Sequence, residues 1–312
     1  MRVATGWLLV CALLAGCAAP RAPGPVSAPE RAVPHHVRLS AAATSVGVDA
    51  DTNVSVPGFI PLSPLGLLVG VAVQAAVVVA QAPGVQTRAT RRDALQAALG
   101  GTTDPAQAFA DVFSAVLEQR LRQTSSLQVA SFGREGDLPA PDTTGGRLSV
   151  AHDVMLSQDA RMIVARAALQ YTAPGARSSV TRHFLVVSEP IPADSELAAI
   201  ELWRASDGAL LRGRGRAVAE ELAALIVDTV FDHEVPDVAA LPNIRVTTPG
   251  FAYLRGVMRS GEPWTSRLPE QIGAPVIRQA PGRAILLVTV PQELNSWVWV
   301  SVPASMLPQP GS

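Results

Sequence analysis

Apolar residues recur along this chain with a period that changes from segment to segment, and each period predicts an element. Phe109, Val112, Phe113, Val116, Leu117 and Leu121 return at helical spacing, with Glu118, Arg120 and Arg122 mostly off that stripe. Asp104-Pro105-Ala106-Gln107 supplies the start: a carboxylate N-cap, proline at the first helical position, and glutamine three residues after the cap. The period then drops to two. Leu127 to Phe132 forms a short alternating stretch, and Leu148, Val150, Val154 and Leu156 alternate with polar or small residues. Ser157-Gln158-Asp159-Ala160 reads as a turn, and Met162 to Tyr171 and Ser179 to Val187 read as two further strands. Such short connections predict an antiparallel meander, on which the amphipathic helix lies.

Helical spacing returns after Pro190 with Leu197, Ile200, Leu202 and Trp203. It breaks at Asp207-Gly208 and resumes as a stripe of Val218, Leu222, Leu225, Ile226 and Val230. The last part is β in character: Ile244 to Thr247, Val276-Ile277, Ala284 to Val290, and Trp297 to Val302. Near the other end, Val37 and Leu39, then Val46 and Val48, suggest one or two strands broken by Asp49-Ala50-Asp51. The expected fold class is α+β: amphipathic helices packed on a small antiparallel β-meander, plus a C-terminal all-β module. Residues 101–238 are expected to form the α+β domain, 37–100 the strands and apolar segment before it, and 239–312 the β module.

Leu65 to Ala80 is a different kind of run, sixteen residues without a charge between Pro64 and Pro83. As a helix it is about 24 Å long, short of the roughly 30 Å hydrocarbon core of a bilayer. Gly66 and Gly70, and Ala72, Ala76 and Ala80, form small-residue ridges suited to close helix packing, and Arg88, Arg91 and Arg92 follow as an interfacial cap. The run reads either as a docked apolar helix or as a membrane-inserting, oligomerising one. A strand reading also survives, because Val69, Val71 and Val73 alternate.

The first residues are a positive start (Met1, Arg2), an apolar stretch from Val3 to Leu14, and then Leu14-Ala15-Gly16-Cys17. This motif resembles the lipobox of bacterial prolipoproteins. The resemblance implies removal of residues 1–16, a thioether-linked diacylglycerol on Cys17 and an acyl group on its new amino terminus. Ala18, in place of the aspartate that retains such proteins in the inner membrane, implies the outer membrane, facing the periplasm. Residues 17–36, rich in proline and alanine, then read as a tether. The chain has only one other cysteine, Cys11, inside the expected signal, so disulfides, thiolate metal sites and a cysteine nucleophile are excluded from the folded part.

Composition removes further classes. All 25 basic side chains are arginine, so Schiff-base catalysis and a phosphate-loop lysine are impossible. A net charge of −1 gives no electrostatic case for nucleic acid. No Gly-x-Ser-x-Gly elbow, zinc-protease helix or phosphate loop occurs.

What remains are isolated candidates. His35 and His36 form a pair without a nearby carboxylate and read as solvated. His152 shares a strand face with Val150 and Val154 while Asp153 points the other way; His183 lies two strands along, about 9.5 Å in strand spacings, too far to share a metal. Both histidines read as structural. Arg212, Arg214 and Arg216 in an Arg-Gly-Arg-Gly-Arg run suggest anion binding or a solvated face. Asp232-His233-Glu234 with Asp237 lacks the spacing of a metal site. Trp297 and Trp299 face away from Val298, Val300 and Val302, as a partner-binding anchor or as buried packing.

No catalytic residue, metal or cofactor is expected. The expected function is a lipid-anchored, non-enzymatic envelope role in scaffolding, assembly or partner binding. Its partners are membrane lipid through Cys17 and an envelope protein. The alternatives are a hydrolase acting on envelope material and a membrane-inserting oligomer that uses residues 65–80.

Overall fold

The computed structural model describes residues 25–41, 46–49, 86–100, 103–124, 127–134, 145–232, 237–257, 263–290 and 297–308. The Leu14-Ala15-Gly16-Cys17 motif and the apolar run 65–80 lie outside the described residues. Among the described residues no helix is long and apolar enough to cross a membrane.

The chain opens with a single helical turn, α1 (Ala28–Arg31), capped by the Glu30 carboxylate, which accepts from the Ser27 backbone N–H and hydroxyl at 3.0 and 2.6 Å. Two strands follow, β1 (Pro34–Ala41) and β2 (Gly47–Val48), then helix α2 over residues 86–99 and helix α3 (Thr103–Gln123). Strands β3 (Gln128–Arg134), β4 (Gly146–Leu156), β5 (Ile163–Thr172) and β6 (Val180–Val187) precede a long helix, α4 (Glu196–Val227). Strands β7 (Asn243–Thr247), β8 (Ala252–Val257), β9 (Pro263–Arg267), β10 (Gln271–Ala280), β11 (Arg283–Thr289) and β12 (Trp297–Pro303) complete the order.

Ten of these strands form one mixed sheet, β3-β1-β4-β5-β6-β12-β11-β10-β7, with β2 beside β4; β8 and β9 pair separately. The antiparallel meander expected from the sequence holds for β4, β5 and β6, where Asp153 stands opposite Arg166 and Ala168 opposite His183. Two features depart from it. First, β3 does not lie next to β4, because β1 inserts between them and runs parallel to both. Second, the C-terminal strands do not build a sheet of their own: β12 pairs with β6 in parallel, Trp299 opposite Phe184, and extends the same sheet. Parallel pairings need long crossovers, which α2 and α3 supply between β1 and β3, and α4 with β7–β11 supplies between β6 and β12.

Residues 25–36, the described part of the segment expected to be a tether, are packed on the fold. Val26 is buried and donates its N–H to the Val230 carbonyl at 2.8 Å, and Arg31 Nη1 donates to the Phe231 carbonyl.

Both faces of the sheet are covered over much of their area, so its central strands are buried throughout, as all seven positions of β12 illustrate. On the inner face lies the larger core, where α3 contributes Phe109, Phe113, Leu117 and Leu121, and α4 contributes Trp203, Val218, Leu222 and Ile226. The predicted stripe of α3 is its buried face, and it packs chiefly against α4 rather than on the sheet. On the outer face, Leu185, Val187, Leu286, Val298, Val300 and Val302 meet Phe251, Tyr253 and Leu268 from the β8–β9 region.

The predicted break in α4 is real: Ala205 is extended, and Ser206, Asp207 and Gly208 take φ of 53°, 56° and 73°. Ile200 and Trp203 before the break are buried, whereas Leu197 and Leu202 are exposed. Trp203 anchors this arm by donating its indole N–H to the Ala160 carbonyl at 2.6 Å. Ala160 itself sits at φ 54° in the predicted Ser157–Ala160 turn, which Ser157 Oγ braces by hydrogen-bonding Asp159.

Candidate functional site

The outer face of the sheet is not covered evenly. Strand register lays its residues out in rows that cross β1, β4 and β5. One row is His36, Arg147 and Thr172; the next is Arg38, Ser149 and Gln170. A third, Ser40, Ala151 and Ala168, leads on to His183 of β6. From this third row onward β8 closes the face, with Leu254 packed on Ala151 and Ala168. The first two rows line an open groove of about 260 Å³. Among the described residues its lining carries two guanidinium groups, an imidazole, two hydroxyls and an amide, and no carboxylate.

Local structure explains how the groove is held. Strand β1 comes close to the start of β4 only because Gly145 and Gly146 have no side chains. A Cβ on Gly145 would meet the Pro34 carbonyl oxygen at 2.7 Å, and one on Gly146 would meet His35 Cδ2 at the same distance. Alternation then puts His35 inward and His36 outward. His36 Nδ1 is 2.8 Å from Ser131 Oγ of β3, and Gln170 donates its amide N–H to Ser179 Oγ at 2.6 Å, which fixes both ends of the rows.

The Ser131–His36 contact is a hydroxyl beside an imidazole, the start of a nucleophile–base pair. Among the described residues no carboxylate meets the other ring nitrogen, so the third member of a catalytic triad is missing.

Under the closed part of the face lies a group of buried charges. Arg166 donates through Nε and Nη2 to the Asp153 carboxylate, the Nε contact at 2.6 Å, and both side chains are almost fully buried. Burial alone would lower the Arg166 pKa, but attraction and hydrogen bonds from Asp153 hold it above the ordinary arginine value. Asp49, at which β2 ends as the sequence predicts, is buried, taking Arg267 Nη2 at 2.8 Å and the Ala252 N–H at 3.3 Å. His183 Nδ1 is 2.9 Å from the Leu254 carbonyl, which ties β6 to β8.

The remaining predicted positions fall into place individually. His152 and His183 occupy opposite faces of the sheet, and Asp153 faces away from His152 as its position in the strand predicts. His152 lies under Phe113 and Phe109 of α3, at ring separations of 4.6 and 6.2 Å, and burial pushes its pKa down to about 4 against the pull of Asp153. His35 is not solvated but fully buried, stacked 6.0 Å from Tyr171. Burial lowers the imidazole pKa and raises the Tyr171 phenol to about 12.

Trp297 and Trp299 are buried in the inner core and present no surface anchor; Trp299 stacks on Phe184 at 5.6 Å, with the Arg182 guanidinium over its ring. Arg212 and Arg214 donate to the Asp207 and Glu189 carbonyls, and only Arg216 of the three is exposed. The Arg-Gly-Arg-Gly-Arg run is therefore largely a set of internal ties. His233 and Glu234 lie outside the described residues, and among the described residues no group of three potential metal ligands occurs.

The groove itself was not a sequence candidate. Its signal was present as the alternating polar positions His36, Arg38, Arg147 and Ser149, but only the register of β1 on β4 brings them together. Comparison with protein-family models finds no family that matches the chain, and comparison with curated proteins finds no matching relative.

Proposed function

We propose that this is a lipid-anchored protein of the bacterial envelope, held on the periplasmic side of the outer membrane through Cys17, whose folded part binds a partner rather than catalysing a reaction. The observation that carries this reading is Leu14-Ala15-Gly16-Cys17 at the end of an apolar run, with Cys17 the last cysteine of the chain. Three acyl chains at about 0.8 kcal/mol per buried methylene anchor far more firmly than one. The non-enzymatic reading draws support from the ionisable groups within the sheet. His152, Asp153, Arg166 and His183 are each fixed in a structural contact, and no described residue lining the open groove is an acid.

The test is Cys17→Ala in the full chain, followed by fatty-acid labelling and fractionation. The variant should lose the label and leave the membrane fraction, and partners captured from detergent-solubilised envelope should be specific to the anchored form. Unchanged labelling and fractionation overturn the anchor.

A further inference from the structure

We infer that the folded part stands end-on to the bilayer, with the end of the sheet that carries the β5–β6 turn and the open groove facing the lipid surface. The inference rests on the Cys17 anchor proposed above and adds which surface that anchor holds down. Contacts of the N-terminal segment define the end. The Val26 N–H donates to the Val230 carbonyl at 2.8 Å and Arg31 to the Phe231 carbonyl, so the chain enters the fold just past the end of α4. Arg182 Nη1, near the start of β6, reaches the adjacent Thr229 carbonyl at 3.3 Å. Strand β1 starts at Pro34, its His35 stacks on Tyr171 near the end of β5, and Tyr171 stands opposite Val180. The entry point, the end of β5 and the start of β6 therefore share one end of the sheet, as does the first row of the groove, His36, Arg147 and Thr172. The Ser157–Ala160 turn lies at the other end, about 31 Å away along the ten residues of β5.

Chain length limits what the anchor allows. Pro25 follows Cys17 by eight residues, which span at most about 29 Å when fully extended. Turning the protein over, with the Ser157–Ala160 turn on the lipid, would lift the entry point about 31 Å from the surface, beyond that reach. Surface chemistry then separates end-on from side-on. At the anchored end Val180 is 49% exposed, with Arg177 exposed in the preceding turn and Arg147 exposed on the first row of the groove. An apolar side chain beside guanidinium groups suits the headgroup layer of a phospholipid surface. Glu30, at the same end, is bonded to Ser27. Along the side of the molecule the exposed Leu197 and Leu202 of α4 lie five residues apart, about 140° around the helix, and build no common face.

With Cys17 lipidated and Cys11 removed, a single introduced cysteine is the only free thiol of the protein. Ser178→Cys, in the exposed β5–β6 turn, and Gln158→Cys, in the Ser157–Ala160 turn, are each labelled with a fluorescent donor. The full-length lipidated protein is inserted from detergent into preformed phosphatidylethanolamine–phosphatidylglycerol vesicles that contain acceptor-labelled lipid. Flotation and energy transfer are read on the same samples. Position 178 should lie nearer the lipid surface than position 158 by about 30 Å, the length of β5. Floating protein with position 158 as near as position 178, or nearer, overturns the orientation and leaves the anchor standing. Protein that fails to float overturns the anchor, and the orientation with it.

Discussion

Asp153 and Arg166 stand directly opposite each other on β4 and β5, and their side chains close a two-point ion pair that is 4% and 3% exposed. The pair sits where β8 begins to cover the sheet, with Asp49 adding a further favourable charge to Arg166. Removing one member leaves the other charged and buried. Asp153→Ala should therefore destabilise the fold by roughly 3–5 kcal/mol, whereas Asp153→Leu combined with Arg166→Met should recover most of that loss. Urea denaturation of the single and double variants measures both. A double variant as unstable as the single would show that the pair does more than neutralise itself.

His152 makes stability depend on acid. Its folded pKa is lowered from 6.5 to about 4, so between those values the unfolded chain binds the proton and the folded chain does not. Stability from this group is fully present above about 6.5 and is lost as pH falls towards 4, an effect of about 3 kcal/mol. His35, lowered by burial too, acts in the same direction. His152→Leu should flatten the acid limb of a stability–pH curve by its own share, and an unchanged slope would contradict the burial of a neutral imidazole under Phe113.

Gly146 is a spacer between strands. With a Cβ 2.7 Å from His35 Cδ2 and 2.8 Å from Nε2, Gly146→Ala forces a fully buried ring to move and should destabilise by about 1–3 kcal/mol. Adding His35→Ala should relieve the clash. Thermal or urea unfolding of the three variants tests the coupling: the double variant should lie above the sum of the singles, and strict additivity would mean the ring is not the obstacle.

These contacts also show what a sequence can and cannot convey. The stripe of α3, the strands over 146–187, the Ser157–Ala160 turn and the break at Asp207-Gly208 were legible because each depends on neighbours in the chain. The insertion of β1 between β3 and β4 was not legible. Val37 and Leu39 announce a strand, but nothing local tells it to pair with residues near 130 and 148. His35 and His36 looked like a solvated pair for the same reason: in a strand one must turn inward, and only the partner strands reveal that it is His35. Trp297 and Trp299 are ambiguous in the sequence because alternation identifies two faces, not whether both are covered; the pairing of β12 with β6 carries them into the inner core shared with α3 and α4. The groove is the extreme case, since its rows exist only once β1, from a distant part of the chain, comes into register with the consecutive strands β4 and β5.

The placement of β1 has a mechanical side. It runs parallel to both neighbours, with Pro34 and His35 at the same end as Gln128 and Gly146, and it is the first strand after the N-terminal segment. A pull from that side of the chain first meets Val26 and Arg31, tied to the Val230 and Phe231 carbonyls. It then loads β1 lengthwise against two partners at once. The ladder bonds on both flanks resist together, in shear, instead of opening one after another as a peeled edge strand would.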